Sequence, residues 1–187
     1  LEQHKIIAQP QNFALFEQYI ADFCTYTSQT IKSAPTLAKL MAGKARLLEA
    51  ILEKAVTSDE ESDANTELND LMNAFKAMLI HDLTPQAFAD LYAQTLAYGM
   101  FAARLHDTTP DTFSRQEAAT LIPQTNPFLR KLFGSIAGID IDPRLKTTVD
   151  NLAEVFRAAD VKQIIASIGQ SSTQNDPIIH FYETFLS

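Results

Sequence analysis

Tryptophan is absent from this chain, cysteine occurs once, as Cys24, and there are only five glycines in 187 residues. One cysteine excludes an intramolecular disulfide framework and fits a reducing compartment. The few glycines, with Leu and Ala far outnumbering Val and Ile, favour helices over strands. No run approaches the ~18–20 consecutive apolar residues of a membrane helix, and the first residues lack the apolar core of a signal peptide. A cytoplasmic domain without membrane contact is therefore expected. Positive charge is also scarce. Fifteen Lys and Arg stand against 23 Asp and Glu, a net charge of −8. That balance argues against a domain that binds nucleic acid mainly through its phosphates.

What is present is helical punctuation. At 46% hydrophobic and 20% charged, the chain has the composition of one globular domain over 1–187. Its organising stretch is 84–105, where Thr84 can cap and Pro85 can occupy the first helical position. Phe88, Leu91, Tyr92, Leu96, Tyr98, Gly99, Ala102 and Leu105 then recur at helical spacing, flanked by alanines that admit close neighbours. Ahead of it, residues 1–11 are irregular. Asn12 opens a helix with Phe13, Phe16, Tyr19, Ile20, Phe23, Cys24 and Ile31 on one face. Ser33-Ala-Pro35 reads as a break, and Thr36 as the cap of a second long helix carrying Leu37, Leu40, Met41, Leu47, Leu48, Ile51 and Leu52. Residues 57–66, TSDEESDANT, read as an acidic surface loop, after which Thr66 restarts a helix.

Past His106 the expected elements shorten. Ser114/Glu117 and Asp160/Gln163 are capping boxes, while Asn126-Pro127, Asp142-Pro143 and Asp176-Pro177 each pair a cap with a proline. The fold expected is all-α, about eight helices, with the first four long and roughly antiparallel. Leu1 is not an initiator methionine and Ser187 falls within an apolar helical pattern, so the chain reads as a piece of a longer protein.

Chemistry is harder to find. Asn126-Pro127-Phe128 lacks the second proline of the adenine-holding loop of adenine methyltransferases, and a capped helix start explains it. No Gly-rich turn follows a strand, so nothing would cradle S-adenosylmethionine or a nucleotide. His180 and Glu183 share a helix face, but one such pair cannot close a metal site. His81 and His106 sit at helix ends, where a cation suits the dipole, and Cys24 lies in an apolar stripe as inert core. The one locally basic stretch, 113–146, carries Arg115, Arg130, Lys131, Arg144 and Lys146 as candidate DNA contacts.

Three stretches together carry a resemblance: LTPQAFADLYAQTLAYGMFAARL (83–105), FSRQEAATLIPQTNPFLRKLFGSIAG (113–138) and DPIIHFYETFLS (176–187). They resemble the helical region preceding the methyltransferase domain of bacterial N6-adenine DNA methyltransferases and single-chain restriction–modification proteins, of the type IIG-like and single-polypeptide type I classes. In the latter that region is called a coupler. The match covers most of 66–187. The resemblance implies a non-catalytic connector with no catalytic, cofactor or metal residue of its own. S-adenosylmethionine is then expected in the parent protein, with a methyltransferase domain downstream, nuclease or translocase parts upstream where present, and DNA reached through the parent. Residues 176–187 become a junction helix, with His180, Phe181 and Phe185 as its domain-facing patch. Two rival readings are a DNA-contacting module built on the five cations, and a free-standing protein–protein adaptor.

Overall fold

Capping chemistry decides where the helices of the computed structural model begin. The structure describes residues 10–25, 30–62, 64, 66–78, 80–122, 127–137 and 141–171. Among them are eight α-helices: α1 (Phe13–Thr25), α2 (Ala34–Glu61), α3 (Glu67–Met78), α4 (Pro85–His106), α5 (Arg115–Leu121), α6 (Pro127–Ala137), α7 (Pro143–Arg157) and α8 (Val161–Ser171). Thr84 accepts a hydrogen bond from the Ala87 N–H at 3.2 Å, Ser114 from Glu117 at 3.2 Å and Asp160 from Gln163 at 3.0 Å. Each satisfies one of the donors that a helix N-terminus leaves without an intrahelical partner. The all-α expectation holds.

The helix expected over 84–105 is α4, and it is central. It packs against α2, α3, α5, α6, α7 and α8. Its most buried positions include Ala89, Ala93 and Ala97 beside Phe88, Leu96, Met100 and Phe101. The alanines, expected only as flanks, therefore lie in the core itself. Small side chains let a second helix backbone approach while the larger ones fill the space beside it. At Gly99 the approach is extreme: a Cβ placed there would lie 2.6 Å from the ring of Phe133, which is itself fully buried. Aromatic rings continue the core on both sides. Phe75 meets Phe88 edge-on at 5.2 Å between centroids, and Phe156 lies 6.2 Å from both Phe101 and Phe113.

Three expectations about the second helix need correction. Residues 57–61 are the last turn of α2, not a loop, and Asp59 is only 6% exposed. Val56 is fully buried and Asp59 has a basic partner on α7, so the acidic run stays helical to reach both. The second helix begins at Ala34 with Pro35 in its first turn, so Ser33-Ala-Pro35 opens it rather than breaking what precedes, and Thr36 lies inside it. Leu40 and Leu47, placed on its core face, are 39% and 49% exposed.

The first helix differs most. Ile31 does not continue it; its N–H donates to the Ala158 carbonyl at 2.8 Å and its carbonyl accepts from the Asp160 N–H at 3.0 Å, an extended pairing with the α7–α8 turn. Phe13, Leu15, Phe16, Tyr19 and Ile20 are 47–65% exposed. The expectations for residues 1–9, for the Cys24 side chain and for 176–187 fall outside the described residues.

Leu96 is fully buried and Leu91 only partly. Leu96→Ala should cost ~2–5 kcal/mol in urea melts, and Gly99→Ala ~1–3 kcal/mol through overpacking against Phe133. Glu60→Ala, on the exposed face of α2, should stay within about 0.5 kcal/mol of the parent. Equal effects at all three positions would contradict a core centred on α4.

Candidate functional site

Of the five cations of the basic stretch, three are engaged within the domain. Arg144, in the first turn of α7, points its guanidinium end-on at Asp59 of α2, with Nη1 and Nη2 donating to the two carboxylate oxygens at 3.0 and 2.9 Å. Its Nε and Nη2 also donate to Asp142, the N-cap of α7, at 2.9 and 2.6 Å. A planar fork between two carboxylates uses the geometry that distinguishes Arg from Lys. The Thr66 hydroxyl donates to the remaining face of Asp59 at 2.9 Å and accepts from the Asn69 N–H at 3.2 Å, which caps α3. One arginine thus fastens α7 to the end of α2 and, through Asp59 and Thr66, to the start of α3.

Arg115 opens α5 with its side chain only 6% exposed, and its Nε donates to Asp150 of α7 at 2.9 Å. Lys146 reaches the other oxygen of Asp150, also at 2.9 Å. The remaining pair, Arg130 and Lys131, is exposed on α6 and forms no ion pair among the described residues. Arg115 is buried, so the five cations do not form one exposed surface. His180, Phe181 and Phe185 lie outside the described residues.

Sequence reasoning passed over Arg104 and Asp107, both buried, and Arg157, whose side chain turns back onto the domain from an exposed position. Arg104, near the end of α4, is 5% exposed. Its Nε donates to the Phe156 carbonyl at 3.1 Å, its Nη2 to Ala159 at 3.3 Å, and its guanidinium carbon lies 5.9 Å from the centroid of the Phe113 ring. Asp107 caps the same helix end and pairs with Arg104 at 3.5 Å. Arg157 donates twice to the Phe113 carbonyl, at 3.2 and 3.0 Å. These arginines donate to carbonyls of the turns after α4 and α7, of which that of Phe156 also accepts from the Ala159 N–H at 3.2 Å. No spacing rule could have found the carbonyl contacts, since each of those acceptors lies more than forty residues away.

A cleft of about 320 Å³ opens beside this group, lined by Arg104, Arg157 and Lys162 together with Asp107, Asp111 and Asp160. Its six charges are balanced, and Arg104 and Arg157 already donate to backbone, so the lining favours neither an anion nor a cation. Among the described residues, Tyr92 is the titratable group driven far from its ordinary value without an ion-pair partner. Burial pushes its phenol up to about 12, which keeps it protonated and outside acid–base chemistry near neutral pH. The histidines of the helix ends are exposed: His106 lies in the last turn of α4, and His81 sits 3.0 Å from the Lys76 carbonyl. Compared with protein-family models, with curated proteins and with solved structures, the chain matches none.

Arg144 holds the carboxyls of Asp59 and Asp142 below the usual carboxylate range through its hydrogen bonds. Groups whose folded pKa is lowered stabilise fully above their unfolded value, about 3.9 for Asp, and the contribution disappears as pH falls through the lowered one. Arg144→Met should cost ~1–3 kcal/mol near pH 7, discounted for the exposure of Arg144 itself. The loss should shrink as pH falls below about 4, so that variant and parent melts converge in acid. A constant difference from pH 7 to pH 2 would show that the fork does not act through these charges.

Proposed function

We propose that the chain is a non-catalytic helical connector, coupler-like, of a bacterial adenine-specific DNA methyltransferase or restriction–modification protein, working in the cytoplasm. The reading rests on the resemblance of 83–105, 113–138 and 176–187 to the helical region before the methyltransferase domain. The observation that favours a connector over a DNA-contacting module is where the cations go: Arg115, Arg144 and Lys146 bind carboxylates of the domain's own helices. A phosphate would compete with those carboxylates for the same donors, most of all at the buried Arg115. The same pairs suit a spacer. They brace α7 against α2 and α5, and α2 alone, with 28 residues, extends ~42 Å at 1.5 Å per residue. A braced block of that length can hold flanking domains at fixed separation and pass a rotation of one to the other. The cofactor, S-adenosylmethionine, and the contacts with DNA then belong to the parent protein, whose methyltransferase domain is this chain's partner.

The purified chain should neither bind S-adenosylmethionine in calorimetry nor transfer methyl groups to DNA. Micromolar binding or turnover would overturn the connector reading. The DNA-contacting alternative keeps one specific support, the exposed Arg130 and Lys131 of α6. If those two touch phosphate, Arg130→Gln/Lys131→Gln should flatten the salt dependence of duplex binding by roughly one to two units of log–log slope. An unchanged slope removes them from consideration.

A further inference from the structure

The cleft beside Arg104 has two walls of different character. One is the end of α4 and the turn after it, with Asp107 and Asp111; the other is the α7–α8 turn, with Asp160, Val161 and Lys162. On the first wall Asp107 is only 2% exposed. Its Oδ1 accepts from the N–H and the hydroxyl of Thr109, at 2.7 and 3.1 Å. Its Oδ2 accepts no hydrogen bond among the described residues, and Arg104 Nη1, its ion-pair partner, stands 3.5 Å away. Arg104 cannot swing closer, because Nε and Nη2 are tied to the carbonyls of Phe156 and Ala159. A buried carboxylate oxygen so placed gains from one further donor. Asp111 is exposed and forms no ion pair among the described residues.

The second wall is short of acceptors. The side chain of Asp160 takes the Gln163 N–H and its carbonyl the Ile164 N–H. The N–H groups of Val161 and Lys162, which open α8, donate no hydrogen bond among the described residues. Lys162 is exposed and forms no ion pair among them. Two orphan donors at the positive end of a helix, with an ammonium beside them, favour an anion. We infer that this cleft binds a free α-amino acid, its ammonium on Asp107 and Asp111 and its carboxylate on the start of α8 and Lys162. A lone cation would leave the α8 donors and Lys162 unanswered, and a lone anion would leave Asp107 Oδ2 as it is. A molecule carrying both charges answers both walls, which is what the balanced lining suits. At about 320 Å³ the cleft is at the small end of the range for small-molecule sites. Its uncharged lining includes Pro110, Ala158 and Ala159, which fits a small side chain such as that of serine. The inference is independent of the connector reading, since it concerns neither S-adenosylmethionine nor DNA, and either can fail without the other.

The test titrates glycine, L-serine and L-threonine into the isotope-labelled full chain and follows its backbone amides by NMR. With L-serine the amides of Asp107, Asp111, Val161 and Lys162 should shift together and saturate at millimolar concentration or below. N-acetyl-L-serine lacks the ammonium and L-serinamide lacks the carboxylate. Each should bind at least about tenfold more weakly, the worth of one charge-assisted hydrogen bond. Asp111→Asn and Lys162→Gln alter only exposed side chains, so both variants should melt as the parent does and weaken L-serine binding to a similar extent. No saturable shift with any of the three amino acids overturns the inference. Equal affinity for the two derivatives also overturns it, as do shifts that saturate but map away from the cleft.

Discussion

The ring of Phe133 lies so close to Gly99 that one added methyl group could not fit between them, and the arrangement around α4 depends on approaches of that kind. Six helices reach a single one only because that helix offers glycine and alanine where neighbours come nearest and Phe88, Tyr92, Leu96 and Phe101 where they stand further off. The constraint is steric before it is hydrophobic. Larger residues at Ala89, Ala93 or Ala97 would bury more area in principle, yet would push neighbouring helices outward and open voids elsewhere.

Charge works on this frame from outside. Arg144 and Arg115 sit at the first turns of α7 and α5 and reach carboxylates on other helices, so each helix start is fixed by its cap and by a distant ion pair. Such pairs contribute modestly to stability where they are wet, but Asp59 and Arg115 are largely out of water and lose a compensating partner if the other group is removed. Orientation is the property these arginines best secure, because a forked donor between two carboxylates tolerates little rotation.

The helix starts were legible in the sequence wherever the signal was local. Thr84, Ser114, Asp142 and Asp160 announce themselves through the next three residues, and each caps as read. Asp59 was misread because its partner lies 85 residues away; an acidic run without an apolar anchor looks like a loop until the arginine is found. Leu40 and Leu47 satisfied a helical period yet face outward, because periodicity marks an apolar stripe without saying how wide the buried part is. The basic stretch was legible as composition and misleading as a surface, since counting cations does not reveal which ones the fold itself neutralises. Ile31 fitted the stripe of the first helix by spacing, and nothing nearby signalled the pairing that takes it out.

That pairing bears on the order in which the molecule can be completed. The two hydrogen bonds of Ile31 go to Ala158 and Asp160, the last residues before α8 begins. Ile31 leaves a ribosome long before either partner is synthesised, so its N–H and carbonyl cannot make these bonds until the end of α7 has been made. Closing so long a loop is slow to be rewarded when little else is in place. The start of α8, whose first backbone donor is given to Ile31, is thus finished by a residue made near the beginning of the chain.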